Sequence, residues 1–97
     1  MFARLTMFQV KSDKLGETIK RFQESVIPAA KSRKGFHGGY LLTDRKTGKC
    51  VSVALWDSEE DIIADEQSGH YQERVSIGKE SFTTPPVREI YEVSVQA

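Results

Sequence analysis

The chain has 97 residues, 38% of them hydrophobic, and carries 14 Lys and Arg against 14 Asp and Glu. A chain of this length forms one small domain over residues 1–97, which buries too little surface to be very stable alone. The balanced charge excludes the extended basic surface that binds nucleic-acid backbones, so no nucleic-acid partner is expected. The single cysteine, Cys50, excludes an internal disulfide and a multi-cysteine metal site, and no metal is expected.

The sequence contains no membrane or export signal. Its longest apolar run, VALW, has four residues, whereas a helix needs roughly twenty to span a bilayer. The first ten residues lack the charged start and apolar middle of a signal peptide. We therefore expect a cytoplasmic protein with no membrane partner.

Residues 2–10 alternate weakly between polar and apolar, which predicts a first strand with both faces partly buried. A helix is predicted next, because apolar residues then recur at steps of four, three and four: Leu15, Ile19, Phe22 and Val26. Ser12 or Asp13 is expected to cap its first turn. Pro28 has no amide proton, so the helix is expected to kink or stop near Ile27.

The clearest feature is a hairpin around DRKTGK, where Gly48 can take the left-handed conformation that closes a loop at 45–48. This turn sets a register for the two strands. On one face it pairs Thr43 with Cys50, Leu41 with Ser52, Gly39 with Ala54, and His37 with Trp56. On the other it pairs Leu42 with Val51, Tyr40 with Val53, and Gly38 with Leu55. A slip of one residue would destroy this sorting.

After the hairpin, Ser58 and three acidic residues predict the start of a second helix, which carries Ile62 and Ile63 and ends at Gly69. A further helical stretch places four residues on one stripe: Tyr71, Val75, Gly78 and Phe82. Val87–Val95 alternates as a fourth strand. The order β-α-β-β-α-α-β predicts an α+β, ferredoxin-like split βαβ fold, with a four-stranded antiparallel sheet and helices on one face.

Four motifs carry a family resemblance: GFHGGYLL, D-x-x-T-G in the hairpin, S-x-x-LWDSEED, and SGHYQERV. They resemble the antibiotic biosynthesis monooxygenase-like family of the dimeric α+β barrel superfamily, over almost the whole chain. The resemblance implies that the sheet packs face to face with that of a second subunit. The apolar face bearing Tyr40, Leu42, Val51, Val53 and Leu55 agrees, and a homodimer is expected.

The resemblance also implies a chemistry. Family members that act as oxygenases use no metal or flavin. A phenol or enol loses a proton, and its carbanion reacts with oxygen directly. This implies no cofactor, a small aromatic or enolisable substrate, and a dry pocket between sheet and helices with a base of near-neutral pKa.

The candidate bases are His37 and His70, because histidine titrates near neutral pH. The face with small residues is expected to lie under the helices and to leave a hollow that ends at His37 and Trp56. The predicted substrate-binding residues are aromatic: Trp56, Tyr71, Phe22 and Phe82. Arg4 and Arg74 are candidates for holding an acidic substrate, with ordinary ion pairs as the alternative. Each of these residues also has a structural interpretation, as a half-exposed histidine or a core aromatic.

The predicted fold allows two other functions. Relatives of this fold degrade haem with an Asn, Trp and His arrangement, but this chain has no asparagine and aligns Asp65 and Val75 with the other two. Haem degradation is therefore not expected. A non-enzymatic dimeric module that binds a small apolar ligand stays open, because it needs no base facing the cavity. Phosphate-loop and hydrolytic-triad patterns find no support.

Overall fold

Four strands form one antiparallel sheet, and the computed structural model describes all of residues 1–97. The strands are β1 (Phe2–Gln9), β2 (Phe36–Thr43), β3 (Lys49–Trp56) and β4 (Val87–Glu92). Their order in the sheet is β2-β3-β1-β4, with β1 and β3 in the centre. This is the α+β, ferredoxin-like arrangement that the sequence predicts.

The helical segments follow β1 and β3. They are α1 (Leu15–Arg21), α2 (Ile27–Lys31), α3 (Glu59–Gln67) and α4 (His70–Ile77). Short 3₁₀ turns at Ser12–Lys14 and Lys79–Ser81 flank them, and a π-helical turn at Phe22–Val26 joins α1 to α2. None of these helices is long and apolar enough to cross a lipid bilayer.

The hairpin turn between β2 and β3 confirms the predicted register over most of its length. Gly48 has φ +77°, and its amide donates to the carbonyl of Asp44 at 2.8 Å. The pairs run from Thr43 opposite Cys50 to Gly38 opposite Leu55, as expected. The turn residues therefore fix which side chains share a face.

The predicted pairing of His37 with Trp56 is wrong. A β-bulge lies between Phe36 and Gly38, so Phe36 takes the place opposite Trp56. Gly38 has φ +128°, a conformation that side-chain-bearing residues rarely adopt. The bulge inserts one residue and reverses the alternation. It packs the ring of Phe36 edge-on against the indole, with 5.5 Å between centroids, and places His37 beside Asp57.

One expectation for the first helix, the side-chain cap, is wrong. The other, a kink or stop near Ile27, corresponds to a change there from π-helical to α-helical winding. No side chain caps the helix, because a 3₁₀ turn at Ser12–Lys14 leads into α1 instead. The helix also passes through Pro28, which lies in the first turn of α2, where a missing amide proton is tolerated. The chain absorbs the proline by widening the preceding turn into a π-helix.

The second half of the chain follows the prediction except that α4 ends at Ile77, before Gly78 and Phe82 of the predicted helical stripe. The hydroxyl of Ser58 accepts from the amide of Asp61 at 3.2 Å and caps α3. Gly69, with φ +86°, separates α3 from α4. The fourth strand ends at Glu92, three residues earlier than expected.

The two faces of the sheet differ in burial. On the helix side, Cys50 and Trp56 are buried, which confirms that the face with small residues lies under the helices. The opposite face, which we call the outer face, is apolar and largely uncovered: Tyr40, Leu42, Val51, Val53, Leu55, Val87 and Tyr91. Tyr40 and Leu42 are 64% and 53% exposed.

The bulge gives a matched pair of glycine substitutions. A Cβ added at Gly38 or at Gly16 of α1 meets no atom within 4 Å, so the two sites differ in backbone conformation rather than space. We expect Gly38→Ala to lower the free energy of unfolding by about 1–3 kcal/mol, because alanine is strained at this φ. Gly16→Ala should raise it by about 0.5–1 kcal/mol. Urea unfolding measures both, and equal effects would contradict the strained bulge.

Candidate functional site

A cavity of about 90 Å³ lies between the sheet and the helices and is partly open to solvent. Its floor on the sheet consists of small side chains and a glycine: Thr6, Gly39, Ser52 and Ala54. Aromatic side chains form much of its wall: Phe22, Phe36, Trp56, Tyr71 and Phe82. This space is enough for several waters, since each needs about 10–15 Å³ of it.

Local sequence explains the hollow. A Cβ on Gly39 would lie 2.2 Å from the carbonyl oxygen of Val53, so only glycine allows β2 and β3 to approach here. Above the floor, the π-helical turn contributes Phe22 and Val26 to the wall. π-Helical turns occur frequently at functional sites. Small side chains below and a widened helix above together leave the space.

Arg4 is a buried charged residue in the cavity wall. Its guanidinium carbon lies 3.9 Å from the ring centre of Tyr71 and 5.2 Å from that of Trp56. Its two terminal nitrogens meet Asp65 at 3.0 Å and Glu66 at 3.4 Å. Cation–π contacts and ion pairs thus hold Arg4 in one orientation.

Asp65 of α3 is almost wholly buried and pairs with three arginines, namely Arg4, Arg33 at 3.1 Å, and Arg74. Burial alone raises the pKa of the Asp65 carboxyl, but hydrogen bonds from Arg74 and Arg4 outweigh it and bring the pKa below its ordinary value. One carboxylate therefore faces three guanidinium groups. The neighbouring Glu66 is shared between Arg4 and Arg88, so positive charge remains in excess around the cavity.

Two buried donors in the wall have no hydrogen-bond partner in the protein. They are the indole Nε1 of Trp56 and the Nη1 of Arg74. Leaving a buried polar group unpaired costs about 1–3 kcal/mol, and more for a charged group. Three arginines line the cavity, Arg4, Arg21 and Arg74, whereas no Asp, Glu or His does. The wall is thus mostly apolar, and its charged residues are all arginines.

The structure brings four of the six predicted site residues together in the cavity wall: Trp56, Tyr71, Phe22 and Phe82. The two histidines lie elsewhere. The His37 side chain is 56% exposed, with Nδ1 3.3 Å from Asp57, and that of His70 is 48% exposed, beside Glu73. Their catalytic role stays a prediction to which this geometry lends no support.

Sequence reasoning missed two parts of the site. The hydroxyls of Thr6 and Tyr71 are 2.7 Å apart and form a hydrogen bond in the wall. Strand alternation could have placed Thr6 on the same face as Arg4. Asp65 lies three residues after the buried Ile62 on α3, so helical spacing could have predicted its burial.

No three His, Cys, Asp or Glu side chains come together to hold a metal ion.

The fold and cavity define a known class. A family model described as antibiotic biosynthesis monooxygenase matches residues 1–75, and the chain belongs to this family. Two curated relatives, the uncharacterised proteins MT2634 and Rv2557 of Mycobacterium tuberculosis, are each 30% identical over 95 residues. That match takes in 97% of this chain but 41% of each relative, so the chain spans about two fifths of their length.

Solved structures share the same fold at low sequence identity. A monooxygenase from the gene ActVA-Orf6 of Streptomyces coelicolor, in complex with nanaomycin D, superposes with a TM-score of 0.75 at 17% identity, covering 99% of this chain and 89% of that one. Rv0793 of Mycobacterium tuberculosis also gives 0.75 at 17% identity, covering 99% and 97%. These similarities establish the architecture of the chain.

The arginine cluster gives a stability prediction. We expect Asp65→Asn to lower the free energy of unfolding by about 3–5 kcal/mol at neutral pH, because it leaves buried guanidinium groups without their carboxylate. The control is Glu17→Gln, which removes an exposed partner of Arg21 at 2.7 Å. Exposed ion pairs contribute about 0–1 kcal/mol to the free energy of unfolding, so Glu17→Gln should have a small effect. Chemical denaturation of the variants measures both.

Lowering the pH should remove the difference in free energy of unfolding between wild type and Asp65→Asn. The folded-state pKa of Asp65 lies below its unfolded value, so its contribution is complete above about pH 4 and is lost as pH falls through the folded pKa. Wild type and Asp65→Asn should therefore begin to converge in stability below about pH 4 and become equal only below the folded-state pKa. A gap that is independent of pH, or no larger than that of Glu17→Gln, would contradict the role given to this carboxylate.

Proposed function

We propose that the chain is a monooxygenase that reacts a small aromatic or enolisable substrate with oxygen in this cavity, without a cofactor. The observation that carries the proposal is the cavity itself, walled by aromatic rings and by arginine donors in a member of the antibiotic biosynthesis monooxygenase family. The Streptomyces coelicolor structure, named a monooxygenase and bound to nanaomycin D, supports it by its shared fold.

The size of the cavity limits the substrate. At about 90 Å³ it is much smaller than the roughly 300–1,000 Å³ of sites that enclose drug-sized ligands. One ring, or one ring of a larger molecule that extends through the opening, matches this space. In this proposal Trp56, Phe22 and Phe82 pack against that ring, and Tyr71 contacts its polar edge.

The wall suits a substrate that becomes an anion. When a phenol or enol loses its proton, negative charge spreads onto its oxygen, and fixed cationic donors in a site that excludes water stabilise that charge. Arg4 and Arg74 supply them here. Because no histidine or carboxylate lines the cavity, the proton passes to solvent, either directly or by relay through the hydrogen-bonded hydroxyls of Tyr71 and Thr6.

The reaction balances without an added reductant. The substrate carbanion attacks oxygen, and a carbon–oxygen bond forms. The oxygen–oxygen bond then breaks, so that one oxygen atom stays on carbon as a carbonyl and the other leaves as water. The substrate supplies all four electrons, which converts a phenol ring carbon bearing hydrogen into a quinone carbonyl.

Oxygen uptake tests the proposal. With a panel of monocyclic phenols, hydroquinones and cyclic 1,3-diketones, we expect at least one to give enzyme-dependent oxygen consumption at an electrode, with quinone or ketone formation seen by absorbance. Ala54→Phe should reduce this rate at least tenfold by filling the cavity that Ala54 lines. Ala29→Phe makes the same change at an exposed site on α2 and should leave the rate within twofold.

Rates that fall equally in both variants, or no uptake with any substrate, would contradict the proposal.

The second candidate function is a binding module without catalysis, and the lack of any histidine or carboxylate in the lining favours it. A module of that kind would bind panel compounds and consume no oxygen. Replacing both His37 and His70 with alanine tests them as bases, and an unchanged rate would remove them from the mechanism.

We also propose that the outer face of the sheet forms a homodimer interface. Its exposed apolar side chains include Tyr40 and Leu42 on β2 and Val87 and Tyr91 on β4, with the exposed Glu89 between the last two. Exposed apolar surface of this kind marks interaction sites, and a second copy would cover it with a matching patch.

Sedimentation tests the dimer. We expect the wild-type chain to sediment as a dimer at micromolar concentration, and Leu42→Glu to shift it toward monomer, because a charge would be buried against apolar surface. Lys46→Glu, in the exposed hairpin turn, is the control and should stay dimeric. A monomeric wild type would contradict the interface, as would an equal effect of the two changes.

A further inference from the structure

The strands place two charged side chains on the mostly apolar outer face of the sheet. Lys49 of β3 and Glu89 of β4 are both exposed. Because side chains alternate along a strand, Lys49 shares the outer face with Val51, and Glu89 shares it with Val87 and Tyr91. By the same alternation, the other charged side chains of β1 and β4 fall on the helix side: Arg4, Arg88 and Glu92. The strands therefore give the outer face one base and one acid.

These two charges lie too far apart to pair within one subunit. β1 separates their strands, and Glu89 lies opposite Leu5 of β1, whereas Lys49 lies opposite Gln9, four residues further along. With strands about 4.8 Å apart and an advance of about 3.3 Å per residue, their Cα atoms are roughly 16 Å apart. None of the ion pairs in the subunit involves either residue.

A hollow of about 280 Å³, open to solvent, lies on the outer face beside Lys49. Its apolar lining on this face comes from three side chains: Met7, Val51 and Val87. Elsewhere on the face, the hydroxyl of Tyr91 donates to the carboxylate of Glu89 at 2.7 Å and holds the two side chains together. The Glu89–Tyr91 pair thus presents a carboxylate beside a ring, and the hollow presents an ammonium group beside an apolar floor.

We propose that a second copy of this chain docks on the outer face with its Glu89 against Lys49 and its Tyr91 ring in the hollow. A two-fold axis forms this contact twice, because Lys49 of each copy meets Glu89 of the other. Charge complementarity supports this occupant, since either charge buried against apolar surface without a partner would oppose association. Apolar packing alone allows many orientations, and the two ion pairs select one of them. This inference rests on the homodimer proposed above and names the side chains that orient it.

Charge reversal tests the pairing by sedimentation. Glu89→Lys puts two basic side chains at each contact, and Lys49→Glu puts two acidic ones there, so each should raise the dissociation constant of the dimer at least tenfold. The controls make the same changes elsewhere: Glu92→Lys on the helix side of β4 and Lys46→Glu in the hairpin turn. Both controls should leave the dissociation constant within twofold of wild type.

Restoring opposite charges should restore the dimer. The double variant Lys49→Glu/Glu89→Lys has opposite charges at both contacts and should dimerise within threefold of wild type. The two single variants, mixed in equal amounts with one of them ¹⁵N-labelled, should form a heterodimer in native mass spectrometry, because each contact then joins an acid to a base. Formation of this heterodimer also shows that each single variant is folded.

The results separate this pairing from the homodimer itself. A wild-type dimer in which the two charge reversals have no more effect than their controls would overturn the pairing and leave the homodimer in place. A double variant and a mixture that both stay monomeric would do the same. A monomeric wild type would overturn the homodimer and the pairing together. Oxygen uptake enters none of these measurements, so the monooxygenase proposal is tested separately.

Discussion

The ion cluster centred on Asp65 is the interaction on which the arrangement of this site depends. A single carboxylate from α3 joins Arg4 of β1, Arg33 of the loop after α2, and Arg74 of α4. Two of these residues, Arg4 and Arg74, line the cavity, so the cluster fixes the relative positions of β1 and α4 there. A buried ion pair adds little net stability because desolvation offsets its attraction, but its geometry is demanding. Here that geometry also turns Arg4 against the rings of Tyr71 and Trp56.

The cluster gives the site a positive charge although no histidine or carboxylate lines the cavity. Three guanidinium groups around one carboxylate leave an excess of positive charge beside the cavity, and aromatic rings form much of its wall. The two histidines lie elsewhere, each beside a carboxylate at an exposed position. In the function proposed above, the protein therefore contributes position and charge, and the acidity of the substrate decides how readily it loses its proton.

Much of the fold was predictable from local patterns. The period of the apolar residues distinguishes strands from helices, and Gly48 alone sets the register from Gly38 to Thr43. The aromatic residues of the wall were predictable because Phe22 and Tyr71 lie on inward stripes of their helices. The bulge at His37 was not, because alternation assumes one residue per step, and a glycine that tolerates positive φ can break that count without any signal in hydrophobicity.

The polar contacts of the site were harder to predict from the sequence. Arg4 and Asp65 are separated by 61 positions, and spacing along the chain contains no information on such a pair. Which nitrogen of Arg74 is used depends on side-chain orientation, which follows from packing in three dimensions. Pro28 predicts an irregularity near Ile27 but not its form, because a proline is compatible with either a stop or a local widening of the helix.

The π-helical turn at Phe22–Val26 has a consequence for how this family can diversify. A π-helical turn amounts to one extra amino acid inserted in a regular helix, so deletion of one codon there would restore ordinary α-helical winding. Because the wide turn already accommodates the extra residue, the deletion would leave α1 and α2 in nearly the same phase and would change the cavity wall where Phe22 and Val26 line it. The strands beneath would stay as they are, so substrate preference could change in a single evolutionary step with little effect on the scaffold.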